Sequence, residues 1–486
     1  MRLKTKRARL SNALRALITA AVLCVSVARA QQPPAASPST DSGAPAQPLP
    51  PLQAGSDSNQ TSLGANSGSA SVPAQPDTHV LSGAETLGLG SLRRLRGIFD
   101  PALQFSEFGE TGIAAGKTLS VTRLGGSLDV ERHWRRSDLT IAYRGGDTFY
   151  QPSLYGIPNL PYHNATISQR IFLGRWTVLL RDDVLYSWGS SFGGLFAGGA
   201  TALGENRSLS AIQPSLTSSG TIQTALARQI YTTALSEADY AFTRRTTLTF
   251  VGSYGLQHFL DSGYIDSQNA TGRVGYNYAL SGKNSLALTY DHNLTTFTGV
   301  SGRLETDSVQ VAFGRKITGR WAFQVAAGPQ FLHFHHFGLN NTKQSSWRAF
   351  SSLSYEGRRT TYSLSYSRGV TAGSGVFFGS RTETVTATAR RELTKLWSAS
   401  VYGGYASNHS LVPISISVFA SNFDNWFAGA RLNRPIGRQF SFGLSYEFEQ
   451  QSSGVGSCPV LSCGLPASFS QYGLTLEWHP LLVRAR

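Results

Sequence analysis

The stretches FSFGLSYEFE at residues 440–449 and YGLTLEW at residues 472–478 share one alternating pattern. Large apolar side chains occupy every second position, and small, hydroxyl or carboxylate side chains lie between them. Successive side chains of a β-strand point to opposite faces of a sheet. Because the pattern recurs from about residue 97 to the end of the chain, it predicts an all-β protein, a transmembrane antiparallel up-and-down β-barrel that is apolar outside and polar within.

Polar turns, most of them rich in Arg, divide this region into hairpins. They lie near residues 135–138, 174–175, 243–246, 281–284, 318–320, 357–360, 392–395 and 435–438. Longer connections rich in Gly, Ser and Asn separate them at 150–163, 335–344, 408–421 and 452–467. Bacterial barrels place short turns in the periplasm and long loops outside, which orients the barrel.

The spacing of these turns predicts about 18 strands, within a range of 16 to 20. Residues 97–108 supply the weakest strand of this set. Residues 189–227 are taken as one long loop, and a hairpin hidden there would give 20 strands.

Residues 1–30 have the organisation of a secretory signal peptide. A basic beginning is followed by an apolar run from Ala16 to Val27 and by Ala28-Arg29-Ala30, an A-x-A cleavage site. Cleavage would remove seven basic residues and no acidic ones, lowering the formal charge from +15 to +8. No apolar run long enough for a membrane-spanning helix follows. An exported chain of alternating strands is expected in the outer membrane of a Gram-negative bacterium.

Residues 31–96 are rich in Pro, Ser and Gly, and the first aromatic residue of the chain is Phe99. Such a segment buries too little apolar surface to offset the entropy lost on ordering. We therefore expect a disordered periplasmic arm over 31–96, followed by the outer-membrane barrel over 97–486.

Charged residues in the strands fall on the face opposite the aromatic side chains; Arg273, for example, precedes Val274 and Tyr276 on the other face. An Arg or Lys facing lipid near the midplane costs about 2–4 kcal/mol, so the charged face is predicted to line the lumen. The predicted pore-lining residues are Glu237, Asp239, Arg273, Asp291, Arg348, Glu356, Arg431, Glu447 and Glu449.

One strand breaks the alternation, since Arg181, Asp182 and Asp183 are consecutive. A β-bulge, or a position above the membrane, would explain this run.

Charges of both signs on one face are compatible with two kinds of barrel. An aqueous pore with acidic and basic walls would pass small polar solutes. Alternatively, the charges pair across neighbouring strands and hold a water-filled or loop-plugged barrel rigid. The formal charge after cleavage leans weakly towards anions.

The sequence predicts no catalytic, cofactor-binding or metal site. Hydrolase, metalloprotease and phosphate-loop motifs are absent. His333 and His335 lie on the side of their strand that carries Trp321, and are expected to face lipid head groups without an ion. Cys458 and Cys463 are predicted to form a disulfide after export. The basic residues form no stripe, so nucleic acid is not an expected partner.

Four stretches resemble a large, largely uncharacterised family of porin-like outer-membrane β-barrel proteins from Gram-negative bacteria. They are TRRTTLTFVGSYG (243–255), GRKITGRW (314–321), YSLSYSRGVTAGSG (362–375) and YGLTLEWHP (472–480). The chain is also distantly similar to barrels encoded with exopolysaccharide or exosortase systems. The resemblance implies a barrel and its location, and it supplies no catalytic or ligand residues.

The leading functional hypothesis is a porin-like passive channel for small polar solutes. One alternative is an outer-membrane conduit or partner for polysaccharide export, with periplasmic export proteins docking on residues 31–96. Another is a structural or adhesive barrel whose lumen is plugged by residues 189–227. Outer-membrane lipid and the barrel-assembly machinery are expected partners in every case, and the oligomeric state is left open.

Overall fold

The computed structural model describes residues 98–480, except for 115–116, 155–156, 190–226, 244, 262–263, 282, 299–301, 319, 336–341, 358, 372–376, 395, 412–421, 438 and 454–467. The signal peptide, the arm, most of the 189–227 loop and the Cys458–Cys463 pair lie outside the described residues. These features stay predictions.

Eighteen strands make up the described part of the chain, in which no helix is long and apolar enough to cross a membrane. The strands are β1 (Ile98–Ala114), β2 (Lys117–His133), β3 (Ser137–Leu154), β4 (Ile157–Leu173), β5 (Trp176–Gly189), β6 (Ala227–Ala241), β7 (Thr246–Phe259), β8 (Asp266–Ala279), β9 (Asn284–Thr298), β10 (Arg303–Lys316), β11 (Trp321–His335), β12 (Thr342–Glu356), β13 (Thr360–Thr371), β14 (Ser380–Glu392), β15 (Ser398–Ser410), β16 (Asn422–Ile436), β17 (Phe440–Ser453) and β18 (Ser468–Trp478).

Every strand pairs antiparallel with its neighbours in sequence, and β1 pairs with β18 to close the sheet. At this seam Leu103 lies opposite Trp478 and Glu110 lies opposite Gln471. β5 pairs directly with β6, so the sheet contains no further hairpin between them. The predicted up-and-down barrel of 18 strands is confirmed.

The predicted long connection at 150–163 is wrong. β3 continues to Leu154 and β4 begins at Ile157, with a shift of register between Phe149 and Leu154. The Pro and Gly residues there suggested a loop, yet Tyr150, Leu160 and Tyr162 are buried on the inner side of the sheet. Burial of these side chains and pairing between the two strands outweigh the local turn signals.

Side chains alternate between a buried and an exposed face along the strands. On β9, Thr289, Asp291 and Asn293 are buried, whereas Leu288 and Tyr290 are 51% and 47% exposed. Among the described residues, buried polar and charged side chains outnumber buried apolar ones, and the exposed face carries many large aliphatic and aromatic side chains. This arrangement is the reverse of a soluble protein and is the one expected for a barrel in lipid.

The outer face of β11 shows the height of the apolar belt. Trp321 begins the strand at the turn side, and Phe331 lies ten residues further towards the loops. Ten residues span about 33 Å along a strand, or about 25 Å along the axis of a tilted barrel, which matches the apolar band of outer-membrane barrels. The ring centroids of Trp321 and Tyr355 lie 4.8 Å apart, and these two amphipathic rings mark the turn-side membrane boundary.

A polar band lies above this belt on the loop side of the outer face. It consists of pairs between adjacent strands: His258 Nδ1 lies 2.6 Å from Asp266 Oδ2, and Arg368 Nη1 lies 2.5 Å from Glu383 Oε1. The other pairs in this band are His292–Asp307, His335–Glu305 and Tyr405–Asp424. Charged groups avoid hydrocarbon, so this band marks the boundary with the lipid head groups.

Val311 lies at the middle of the apolar belt, opposite Ala327 and 54% exposed. Val311→Arg is expected to lower the free energy of unfolding by about 2–4 kcal/mol, because it places a cation in hydrocarbon. Urea titration in lipid vesicles measures the change. The control Ser345→Arg, on the outer face opposite Phe331, is expected to cost about 0–1 kcal/mol because it lies near the interface. Equal losses for the two variants would contradict this placement of the belt.

Candidate functional site on the inner face

Seven of the nine predicted pore-lining side chains are buried on the inner face of the barrel. They are Glu237, Asp239, Arg273, Asp291, Arg348, Glu447 and Glu449, each less than 9% exposed. Arg431 is partly buried and lies on the same inward face of β16 as Phe427. Glu356 ends β12, and its side chain lies outside what the structure describes.

An ion triad shows directly that this face is the interior. Asp291 on β9 forms an ion pair with Arg273 on β8, and its Oδ2 lies 3.2 Å from Nη1 of Arg348 on β12. Strands β10 and β11 separate β9 from β12, so this contact is made across the concave surface of the sheet. Ser308 of β10 lies within 3.4 Å of both Asp291 and Arg348. The sequence identified the members, and the structure brings them together.

Around this triad, the inner face of β7–β14 forms an amide wall of hydroxyl and carboxamide side chains. Neighbouring strands are joined through these groups: Ser365 Oγ lies 2.6 Å from Thr386 Oγ1, and Asn269 Nδ2 donates to Thr295 Oγ1 at 3.2 Å. Other buried members include Asn293, Gln310, Gln324 and Gln330. Uncharged polar groups of this kind suit a surface that water or polar solutes contact.

The opposite side of the interior is different. The inner face of β15–β18 and β1–β4, here called the seam wall, carries aromatic side chains that lie over glycines of nearby strands. Phe108 lies over Gly473, and a Cβ atom at Gly125 would lie 2.5 Å from the Tyr162 hydroxyl. Glycine at these positions therefore leaves room for the rings beside the wall.

The buried charges of the inner face are mainly acidic. Among the described residues, nine carboxylates are buried and only three arginines, namely Arg123, Arg273 and Arg348. The buried carboxylates are Asp100, Glu110, Asp183, Glu237, Asp239, Asp291, Glu447, Glu449 and Glu477. This acidic excess among the buried side chains points the other way from the weak leaning towards anions that formal charge suggested, which stays a prediction. Formal charge counts the arginines of the turns, which are remote from the interior.

Sequence reasoning missed the inner residues of β1 and β2. Glu110 and Arg123 are 1% and 3% exposed, yet neither was predicted to line the pore. Glu110 shares its face with the buried Phe108, whereas the sequence rule placed charges opposite aromatics. That rule holds where aromatic rings face lipid and fails on the seam wall, where they face inwards.

The run Arg181–Asp183 contains no bulge. β5 keeps an unbroken register with both β4 and β6, so a bulge, one of the two explanations offered for this run, is wrong. Arg181 and Asp183 face inwards as an ion pair of 2.8 Å, and Asp182 is exposed on the outer face. Two of the three charges thus satisfy each other inside the barrel.

An apolar cap narrows the loop-side mouth on one side. Phe377 and Phe378 lie in the connection from β13 to β14. The ring centroid of Phe377 is 5.6 Å from that of Phe423 on β16, and the ring centroid of Phe378 is 5.5 Å from that of Phe297 on β9. Gly379, with φ of 85°, ends this connection. The underlying cluster is Phe297, Leu304, Leu332, Phe334 and Val370. Part of the β13–β14 connection therefore folds over the inner face.

A histidine clamp holds the seam at the turn-side end. His479 directly follows β18, outside the spanning strands, and its Nδ1 lies 3.4 Å from Asp100 Oδ1 of β1. Its Nε2 lies 3.5 Å from Glu477 Oε1. Hydrogen bonding to Asp100, and then to Glu477, raises the pKa of His479 to about 9. The imidazolium thus links the last strand to the first.

The remaining histidines suggest no metal centre. His333 and His335 lie on the outer face of β11, and His335 is paired with Glu305. Within the described ranges, no three His, Cys, Asp or Glu side chains are grouped so that they could hold a metal ion.

No protein-family model and no curated protein sequence matches the chain. Among solved structures it is similar to OccK2 (OpdF) of Pseudomonas aeruginosa, with a TM-score of 0.42 and 7% identity over 80% of this chain and 98% of that one. For OpdK of the same organism, crystallised with vanillate, the TM-score is 0.40 and the identity 10%, over 79% of this chain and 98% of that one. For OprD of Pseudomonas aeruginosa, the TM-score is 0.39 and the identity 9%, over 80% of this chain and 95% of that one. The function of this chain has to be derived from its own inner face.

The triad should be important for stability. Asp291→Asn is expected to lower the free energy of unfolding by about 3–5 kcal/mol, because it leaves two buried arginines without their carboxylate. The control Asp424→Asn removes an outer-face carboxylate bonded to Tyr405 and should cost about 0–1 kcal/mol. Urea titrations of the three proteins provide the comparison. A loss for Asp291→Asn no larger than that for the control would refute the buried triad.

The histidine clamp predicts a pH-dependent contribution to stability. The folded-state pKa of His479 is raised to about 9, so its contribution is complete below about pH 6 and disappears as pH rises through about 9. His479→Gln should therefore lower the urea midpoint at about pH 6 and leave it nearly unchanged at about pH 10. In a protein that carries Glu477→Gln, the effect of His479→Gln on the urea midpoint should differ less between the two pH values, because one of the two carboxylates is gone. A pH-independent effect of His479→Gln would exclude the charged clamp.

Proposed function

We propose that this chain is an outer-membrane, porin-like passive channel for small polar solutes. The observation that carries the proposal is the polar inner face, which runs from the turn side to the loop side of a closed sheet. Asp100 and Glu477 lie near the turns, the Asp291 triad lies further in, and Asn408 lies near the loops of β15. An apolar belt outside and such a face inside are what a passage across a bilayer requires.

The burial of the lining side chains indicates a narrow passage. Asp291, Arg273 and Arg348 bridge neighbouring strands instead of standing apart in a wide channel, and Phe377 and Phe378 cover part of the loop-side mouth. A narrow lumen favours small solutes over a polymer. These features favour passive diffusion over polysaccharide export, which no contact or surface among the described residues specifically supports.

The proposal also differs from a purely structural barrel. A filled barrel needs an interior that is packed and satisfied, and apolar packing would supply this at lower cost than charges do. Here the described interior is mainly polar, and several of its buried side-chain atoms, among them Glu110 Oε2, Arg123 Nη2 and Asn425 Oδ1, have no hydrogen-bond partner. Such groups are expected where water or solutes pass.

A liposome-swelling assay tests the function. The signal-cleaved protein is reconstituted into vesicles, which are then diluted into isotonic arabinose, glucose or a trisaccharide. A narrow channel predicts that swelling rates fall steeply with solute size. Absence of swelling for every solute, from protein shown to be folded, would contradict the channel and favour a plugged barrel. Equal rates for all solutes would contradict the narrow passage.

A further inference from the structure

One carboxylate of the outer face lies inside the apolar belt. Asp182 is on β5, six residues from Trp176, which begins the strand at its turn-side end. Six residues span about 20 Å along a strand, or about 15 Å along the axis of a tilted barrel, so Asp182 lies near the middle of a belt of about 25 Å. Its side chain is exposed on the outer face. If lipid covered this sector, the carboxylate would meet hydrocarbon.

Asp182 differs from other outer-face carboxylates in its lack of a side-chain partner. Among the described residues, no side chain forms an ion pair or a hydrogen bond with it, and the backbone N–H of Asp183 lies beside its carboxylate. Other outer-face carboxylates have partners on adjacent strands: Glu107 with Ser120 and Thr122, Asp147 with Asn159, Asp307 with Tyr290 and His292, Glu383 with Arg368, and Asp424 with Tyr405. A charged group within a membrane is expected to face a polar partner and not lipid.

The outer face of β6–β8, next to Asp182, is recessed. Ala234 and Ser236 are exposed on β6, and Ala234 lies directly opposite Asp182. Ser236 lies opposite Gly252 on β7, which lies opposite Gly272 on β8. A Cβ atom added at either glycine would have no neighbour within 4 Å, so this part of the surface is open. The small side chains leave a shallow recess in the apolar belt.

On the other side of Asp182 the outer face protrudes. Ile167 on β4 lies opposite Asp182 and is 51% exposed, and Leu180 on β5 is 41% exposed. Around the barrel, a ridge with a carboxylate on β4–β5 is therefore followed by a recess on β6–β8. The name lateral patch is used below for Ile167, Leu180, Asp182, Ala234, Ser236, Gly252 and Gly272.

The two halves of the lateral patch complement each other. A two-fold axis along the membrane normal, between β5 and β6, keeps the height of every residue and places β4 and β5 of one copy against β7 and β6 of another. Ile167 and Gly252 are each six residues from the turn-side end of their strand, so the ridge meets the recess. Asp182 then meets β6 of the second copy, where Ser236 and Thr232 carry hydroxyl donors on the outer face.

We propose that the lateral patch binds a second copy of this chain, forming a side-by-side dimer in the membrane. Small residues let two membrane-spanning surfaces approach closely, and hydroxyl groups form hydrogen bonds between them. An isologous contact needs no other protein, because the acceptor and the donors lie on one patch. Lipid at the same place would leave the Asp182 carboxylate in hydrocarbon. The proposal concerns the outer face and does not depend on the proposed channel.

The first test is cross-linking of a single cysteine beside the proposed axis. Ala234→Cys is introduced into signal-cleaved protein whose Cys458 and Cys463 are replaced by Ser, and the protein is oxidised in lipid vesicles. A disulfide-linked dimer is expected. The control Ala327→Cys, exposed on the outer face of β11, should remain monomeric on the gel. Absence of the dimer for Ala234→Cys, or equal cross-linking of both variants, would overturn the proposal. In cell envelopes, a cross-link from position 234 to a different protein would do the same.

The second test fills the recess. Ala234→Phe points away from the sheet, so a single barrel in lipid accommodates it, whereas a second copy cannot approach. Analytical ultracentrifugation in a mild detergent should show a dimer for the unmodified protein and a monomer for Ala234→Phe. Gly252→Leu should act in the same way, and the matched control Ala327→Phe should stay dimeric. Heat-modified mobility in gels shows that each variant is folded. A monomeric or trimeric unmodified protein, or a dimer that survives both recess variants, would contradict the two-fold contact.

The third test asks whether Asp182 contributes a polar contact. Asp182→Leu removes the acceptor and leaves an apolar side chain that lipid accepts. The dissociation constant of the dimer should rise roughly tenfold or more, the loss expected for a hydrogen bond to a charged group. Asp424→Leu, which changes an outer-face carboxylate outside the lateral patch, should leave it unchanged. Equal dissociation constants for Asp182→Leu and the unmodified protein would refute the role of Asp182.

Discussion

The structure depends on the hydrogen bonds between β1 and β18. Within hydrocarbon, each unpaired backbone N–H or C=O group costs several kcal/mol, so a sheet can cross a membrane only when it has no edge. Pairing of residues 103–111 with 470–478 removes the two edges that an open sheet of 18 strands would have. His479 adds a side-chain link between the same two strands. Closure turns one face of every strand inwards and the other outwards.

Most of the outer face satisfies a single requirement, contact with lipid, whereas the inner face has two regions. The amide wall is built from short hydroxyl and carboxamide side chains joined between strands, with one ion triad that spans β8 to β12. The seam wall combines rings lying over glycine with buried carboxylates. Such an asymmetric interior gives a solute unequal surfaces to contact, which a uniformly lined pore would not.

Much of the fold could be predicted from the sequence, because the relevant signals are local. The alternation in β17 and β18, and turns such as Gly174–Arg175, need only a few adjacent residues. Residues 150–163 were mispredicted because Pro and Gly are local turn signals, while the pairing of β3 with β4 depends on both strands. The signal peptide, the arm and the disulfide are predictions from local patterns that lie outside the described residues.

The inner-face site was harder to predict from the sequence, because its residues are brought together by the register between distant parts of the chain. Asp291 and Arg348 could each be assigned to the inner face, but their contact depends on the curvature of four strands. Glu110 was missed because Phe108 shares its face, and that ring fits inwards only because Gly473 lies on β18. A single strand carries no information about the glycine on its neighbour. The inward position of Glu110 therefore becomes visible only after the barrel is closed.

The central claim is that the inner face of this barrel is in contact with water and the outer face with lipid. Single cysteines at residues 286–289, in a chain with Cys458 and Cys463 replaced by Ser, test it most directly. A hydrophilic, membrane-impermeant thiol reagent should label positions 287 and 289 in reconstituted vesicles and leave 286 and 288 unlabelled. Absence of labelling at 287 and 289, or equal labelling at all four positions, would contradict an aqueous lumen bounded by lipid-facing strands.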